Sequence, residues 1–258
     1  MSTFGNGRVL TARSVILSVL LGSDPPRLSP RRLVGTTDLF GITEGTTRTA
    51  LSRLTAAGEL TMKDGRYELS SQSLLRRRAY QTASRMAETR DWDGSWIHAV
   101  TGTEQRRAAS DRAALRGELA RQRLAELREG VWLRPDNLPD DDAGSSANGE
   151  VVWFVSEPVS DAVALAQRLW DLDGWASEAT NLRHSMGRLI GPLEEGDRSK
   201  LAEGFVLSAS VLRQFQADPL LPTQLLPSSW PGQELRSQYD RYDAAYRAVL
   251  KGWFREYV

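Results

Sequence analysis

The 258-residue sequence contains no cysteine. Disulfides, a thiol nucleophile, an iron–sulfur cluster and a Cys-based zinc site are therefore excluded. Histidine is almost as scarce: His98 and His184 are the only two, too few for a multi-histidine metal site within one chain. Spacings typical of P-loops, zinc proteases and nucleophile elbows are missing as well. Gly5-Asn6-Gly7 is a lone glycine pair with no strand before it, so it is no dinucleotide fingerprint. The sequence predicts no catalytic residues, no cofactor and no resident metal.

Long apolar runs are also missing. No window approaches the ~20 apolar residues of a membrane span. Arg8 and Arg13 precede the apolar run Ser14–Leu21 as in a secretory leader, but Gly22-Ser-Asp-Pro-Pro26 follows without a small-x-small cleavage site. Val15, Leu17, Ser18 and Leu21 instead share a helical face, as in a first core helix. A cytoplasmic protein with no membrane contact is expected.

What is present is enough for a packed core: 40% hydrophobic residues, eight of them Trp. The 33 Lys and Arg balance 33 Asp and Glu, which at first argues against a nucleic-acid partner. The balance is not local. Residues 1–90 carry 14 basic and 7 acidic residues, a net of +7, and residues 91–258 carry 19 and 26, a net of −7. Such asymmetry points to nucleic-acid or membrane contact by one part of the chain; if the partner is DNA, the acidic part repels it so that docking occurs in one orientation.

The basic part predicts three helices and a hairpin. Residues 11–22 form the first helix, and Leu28–Gly41 the second, with Ser29 as cap and Pro30 in its first turn. Thr43 caps a third that Gly58 stops. At period 3.6, Thr47, Ala50, Leu51 and Leu54 face inward, leaving Glu44, Thr46, Arg48, Thr49, Ser52 and Arg53 outward. Short hydroxyls and guanidiniums suit phosphates and base edges. Lys63-Asp64-Gly65 then links two short strands, and Asp-Gly is a strong hairpin signal. Three helices and a basic hairpin describe a winged helix-turn-helix, whose third helix enters the major groove. The expected DNA contacts are Arg31, Arg32, Thr43, Thr46, Arg48, Thr49, Ser52, Arg53, Lys63 and Arg66.

Beyond it, Gln72–Thr89 reads as a helix carrying Arg76-Arg77-Arg78. Trp96–Val100, Val131–Leu133 and Val151–Ser156 read as strands, with a long helix over Glu104–Glu129 and another over Ser160–Leu172. Pro135–Glu150 reads as a solvated loop. The order fits a ferredoxin-like α+β unit. Helices are expected over Ser177–Ile190, Lys200–Ala217 and from Gln233 onward, the last carrying Tyr239, Tyr242, Tyr246, Trp253, Phe254 and Tyr257 as core or dimer contacts. The proline-rich 218–232 segment is expected to wrap a helical core. The fold class is thus α+β, mainly helical. Its division is 1–70 DNA-binding, 71–90 connector, 91–174 ferredoxin-like and 175–258 helical.

Arg13-Ser-x-Ile-Leu, Gly41-Ile-x-Glu, Arg48-Thr-Ala-Leu-Ser-Arg-Leu54 with Gly58-x-Leu60, and Gly65-Arg-Tyr-x-Leu69 resemble the DNA-binding domain of PaaX-type transcriptional repressors. Trp92-Asp-Gly-Ser-Trp96 and Asp218-Pro-Leu-Leu-Pro-x-x-Leu-Leu-Pro-x-x-Trp-Pro-Gly232 match the same family. The resemblance covers most of the chain. It implies the three-domain order above and a homodimer on double-stranded operator DNA, released by an acyl-CoA such as phenylacetyl-CoA. Two stretches depart from the family: 121–129, where a glycine-bearing turn is expected after the long helix, and Thr101-Gly-Thr-Glu104. A CoA thioester needs cations for its phosphates and an apolar slot for its acyl group. Arg106, Arg107, Arg112 and Arg116 with Trp92, Trp96 and Trp132 are the candidates. Two alternatives stay open: a winged helix kept only for protein contacts, and a metal-dependent nuclease with Asp91 and Asp93 as ligands, residues that read more simply as turn formers.

Overall fold

The computed structural model describes residues 10–102, 109–139 and 151–257. Gly5–Gly7, Arg106, Arg107, most of the 135–150 segment and the side chain of Tyr257 lie outside the described residues. The chain divides into two compact units: Met1–Arg85, Glu178–Gln216 and Pro231–Val258 form the first, and Met86–Ser177 with Ala217–Trp230 the second. Helices and two small antiparallel sheets make the chain α+β and mainly helical.

The first unit opens with α1 (Ala12–Gly22), where the Thr11 and Ser14 hydroxyls reciprocally satisfy the free amides of the helix start. β1 (Arg27–Leu28) follows, then α2 (Pro30–Asp38), capped by Ser29 with Pro30 in its first turn. The expected helix over Leu28–Gly41 is thus shorter at both ends. Leu28 is in β1, and Gly41, at φ +68, turns the chain so that the Ile42 amide reaches back to the Thr37 carbonyl. α3 (Glu44–Ala56) starts on its Thr43 cap and stops just before Gly58, also at φ +68.

β2 (Leu60–Lys63) and β3 (Arg66–Leu69) pair with Lys63 opposite Arg66. The loop residues Asp64 and Gly65 both have positive φ, the conformation that lets a two-residue turn follow the strand twist. β1 adds to the far side of β3, a strand too short to leave a pattern in the sequence. Leu20, Leu33, Leu51 and Leu60 meet in the core beneath the three helices.

α4 (Gln72–Met86) stops short of Thr89, where Ala87 takes a positive φ. The remaining helices of this unit are α7 (Leu172–Glu194, of which residues from 178 belong here), α8 (Leu201–Ala217) and α9 (Gly232–Tyr257). α9 turns Tyr239, Tyr242 and Tyr246 inward. The Tyr242 hydroxyl donates to the Gly204 carbonyl at 2.6 Å and the Tyr246 hydroxyl to Leu201 at 3.3 Å. Burial raises all three phenol pKa values well above the usual range. Arg85 of α4 bridges Asp240 and Asp243 of α9 at 2.8 and 2.9 Å. The same helix reaches α1 and α2: Arg247 donates to the Gly22 carbonyl at 3.0 Å, and Phe254 lies under the Arg32 guanidinium at 5.5 Å.

The second unit contains β4 (Trp96–Thr101), α5 (Ala109–Arg121), β5 (Ala125–Arg128), β6 (Val131–Pro135), β7 (Val151–Ser156) and α6 (Ala162–Leu169). Its strands lie in the order β5-β6-β4-β7, each antiparallel to its neighbour. The helix expected over Glu104–Glu129 is corrected here. It ends at Arg121, Arg123 takes a left-handed φ of +66, and 125–128 form a fourth strand. Arg123 holds that unusual conformation because it is buried and its guanidinium donates to the Asp218 carbonyl at 2.6 Å. Leu115, Leu119 and Trp132 pack on one face of the sheet, and Trp96, Leu133 and Ala166 on the other.

Gly204 of α8 tests the tyrosine packing. A Cβ there would lie 2.8 Å from Tyr246 Cδ2 and 3.1 Å from the Tyr242 hydroxyl. Alanine gains about 1 kcal/mol of helix propensity over glycine, but overpacking costs typically 1–3 kcal/mol. Gly204→Ala is expected to lower stability in urea unfolding, against its propensity; a rise in midpoint would show that the ring stack yields freely.

Candidate nucleic-acid interface

α3 presents a polar outer face because its inner face is narrow. Thr47, Leu51 and Leu54 are buried, and Ala50 is partly so. Thr47 is wholly buried and shares a 2.7 Å hydrogen bond with the equally buried Thr37 hydroxyl of α2. That pair sets how α3 lies on α2 without requiring bulk between them. Glu44, Thr46, Arg48, Thr49, Ser52 and Arg53 are all exposed on the other side.

The exposed groups differ in how far they are already engaged. Thr43 accepts from the Thr46 amide at 3.3 Å as the helix cap, and the two hydroxyls lie 2.9 Å apart. Arg48 is held by Glu44 one turn earlier, its Nε donating at 2.7 Å. The Thr49 hydroxyl donates to the Gly45 carbonyl at 2.9 Å. Arg53, and Lys63 and Arg66 at the hairpin, are exposed cations without an ion-pair partner among the described residues. Arg31 and Arg32 project from the first turn of α2, and Arg32 stacks on Phe254. Of the triple arginine, Arg78 is structural: it donates to the Ser23 carbonyl at 3.1 Å and pairs with Asp24 at 3.3 Å.

Sequence reasoning left out one part of this surface. A cleft of about 690 Å³ lies beside α3, lined by Thr46, Thr49 and Arg53 and also by Thr11, Arg13 and Glu59. Arg13 stands in a motif already noted, Arg13-Ser-x-Ile-Leu, but nothing in the motif says that it faces α3.

The candidate effector residues are not gathered in one place. Trp96 is fully buried between Trp92 and Trp170 on the α6 face of the sheet, with ring centroids 6.4 and 6.3 Å away. Trp132 is buried on the opposite face beneath α5. The Trp92 indole donates to the Ser95 carbonyl at 2.6 Å. Arg112 and Arg116 are exposed on α5, and Arg116 pairs with Glu126 at 3.2 Å. Arg106 and Arg107 lie outside the described residues.

Asp93 accepts from both the amide and hydroxyl of Ser95, at 3.0 and 2.6 Å, which holds its carboxyl below the usual range. That is the geometry of a turn residue. Among the described residues no three His, Asp or Glu side chains gather as metal ligands, and no helix is long and apolar enough to cross a membrane.

Three family models match the chain in sequence order: PaaX-like protein over residues 11–73, PaaX protein central Cas2-like domain over 89–164, and PaaX-like protein C-terminal domain over 170–255. The chain belongs to the PaaX family. Membership places it among transcriptional regulators of the PaaX type. A solved structure, that of the uncharacterized protein Rv0674 from Mycobacterium tuberculosis, is similar at 37% identity. The match spans 95% of this chain and 99% of that one, with a TM-score of 0.72. No curated protein matches. The PaaX-like match at 11–73 contains α1 to α3 and the hairpin, with every cation discussed on α2, α3 and β2–β3.

The Thr37–Thr47 pair gives a direct test of how α3 is held. Thr47→Val keeps the shape and removes the hydroxyl. The Thr47 hydroxyl also donates to the Thr43 carbonyl at 3.1 Å, so a loss of about 1–2 kcal/mol is expected, each hydrogen bond being worth about 1 kcal/mol net, measured by denaturant unfolding. No loss would mean that the leucine core alone seats the helix.

Proposed function

We propose that the chain is a dimeric repressor that binds operator DNA through α3 and the β2–β3 hairpin and is released by an acyl-CoA. In this reading residues 1–70 are a winged helix-turn-helix and 71–90 a connector. Residues 91–174 are a ferredoxin-like domain and 175–258 a helical domain, and none of them is catalytic. The observation that carries the reading is the outer surface of α3 and the hairpin. Exposed hydroxyls and guanidiniums line one helix, and unpaired Lys63 and Arg66 flank a tight turn beside it. A helix of this size fits the major groove, and a basic hairpin fits the adjoining backbone. The strand order β5-β6-β4-β7 and the Cas2-like family match support the ferredoxin-like reading of 91–174.

Within α3, Arg48 and Arg53 have different tasks. Arg48 is aimed by Glu44, so it reaches a base edge already oriented. Arg53 is unpaired and meets phosphate. Binding to duplex DNA from the protein's own promoter is expected to weaken with salt, at about 0.9 in log–log slope for each phosphate neutralised. Arg48→Ala is expected to cost about 1–3 kcal/mol on that duplex as a base contact. Undiminished binding by the Arg48→Ala/Arg53→Ala double variant in a mobility-shift titration would remove α3 from the interface.

The effector reading rests on family membership. An acyl-CoA is expected to raise the thermal midpoint and loosen DNA binding when a panel of these thioesters is compared. No shift with any member excludes the class.

A further inference from the structure

We propose that the cleft between α1 and α3 is a seat for one DNA phosphate, with Arg13 as its ligand and Glu59 as the group that restrains Arg13 until DNA arrives. The inference rests on the DNA-binding reading above and extends it to a residue that neither α3 nor the hairpin contains.

The cleft shares Thr46, Thr49 and Arg53 with the outer face of α3, and its opposite wall is Thr11 and Arg13 in the first turn of α1. A duplex docked along α3 therefore runs a backbone past the mouth of the cleft. The Arg13 and Arg53 guanidiniums line the cleft together, donors of the kind that phosphate oxygens take, while the Thr11, Thr46 and Thr49 hydroxyls beside them are hydrogen-bonded within the protein. The α1 helix end is not itself the ligand, because Thr11 and Ser14 already satisfy one another and the helix amide of Ser14.

Arg13 is held in a way that leaves it available. Only its Nη2 contacts Glu59, at 2.8 and 2.6 Å from the two carboxylate oxygens. Nε and Nη1 make no hydrogen bond among the described residues. The guanidinium is the outer partner, 58% exposed against 24% for the Glu59 side chain. An exposed single-nitrogen pair is weak, whereas phosphate offers the free edge of the fork a second pair of bonds and releases counterions. The one carboxylate among the cleft's polar groups opposes any anion that enters. Glu59 thus fixes where Arg13 points and weakens its hold on phosphate at the same time.

These roles give opposite signs in one experiment. Fluorescence anisotropy on the full-length protein, with its promoter duplex and an unrelated duplex at several salt concentrations, reads both. Arg13→Ala is expected to weaken binding to both duplexes alike and to lower the log–log salt slope by about 0.9. Arg13→Lys keeps the charge and is expected to keep the slope. Glu59→Gln, which retains size and hydrogen bonding, is expected to tighten binding several-fold, and by less when Arg13 is already alanine. Thermal melts identify the folded variants, and Arg13→Lys and Glu59→Gln are the mildest of the set. An unchanged slope in folded Arg13→Ala, or weaker binding by folded Glu59→Gln, overturns the phosphate seat while leaving α3 as the reading helix. Failure of the unaltered protein to bind any duplex at low salt overturns the DNA-binding reading itself.

Discussion

What α3 can offer at its outer surface depends on how little holds its inner one. Thr47, Leu51 and Leu54 are its only fully buried side chains, a stripe one residue wide over about two turns. A broader apolar face would bury Thr46, Thr49 or Arg53. A narrower one would leave the helix unseated, since an isolated 13-residue helix is marginal in water. The Thr37–Thr47 hydrogen bond resolves the conflict. It supplies a directional contact where α2 and α3 meet and needs no third leucine on that side. The leucines of α1 and β2 then close over the remaining stripe.

The same unit is anchored from far along the chain. α9 begins 160 residues after α4 opens, yet it ties α4 through Arg85, α1 through the Gly22 carbonyl and α2 through Arg32 over Phe254. Asp243 is central to this anchorage. It is only 10% exposed and receives both Arg85 and Arg247 at 2.9 Å. A buried carboxylate with two guanidiniums is well compensated. One of those guanidiniums continues to the carbonyl that ends α1. Any shift of α9 is therefore a shift of the contacts that end α1 and flank the first turn of α2. The C-terminal helices are thus tied physically to the α1–α3 module, with no separate messenger needed between them.

How far the sequence foretold this depends on the kind of signal each element leaves. α3 and the hairpin were legible, because a 3.6-residue stripe, a Thr cap, a Gly stop and an Asp-Gly turn are all local chemistry. β5 was not: Leu124 and Leu127 continue a helical spacing, and the break falls at Arg123, where no glycine marks the left-handed turn. What holds Arg123 there is the Asp218 carbonyl, 95 residues away. Local patterning cannot contain that information. Arg13 is a similar case, since its partner Glu59 lies 46 residues on. The tryptophans are the converse case. Trp96 and Trp132 lie on paired strands three positions apart in register, and the alternation of the pleat sends them to opposite faces of the sheet.

The charge asymmetry looks different along the sequence and across the folded units. By sequence position the basic part ended near residue 90, and everything after it counted as acidic. The contact-defined units divide the charge differently. The first holds 23 Lys and Arg against 15 Asp and Glu, and the second 10 against 18, net +8 and −8. The C-terminal helices therefore do not belong to the acidic share. Their carboxylates are largely matched by their own arginines, as Glu194 is by Arg241 at 2.9 Å. The excess negative charge resides in the second unit alone. Screening limits such a field to about 8–10 Å at physiological salt, so it cannot steer DNA from a distance. At contact, an anion brought against the second unit meets excess negative charge and one brought against the first unit meets excess positive charge. Net neutrality of the whole chain is then the sum of two surfaces with opposite preferences for the same polyanion.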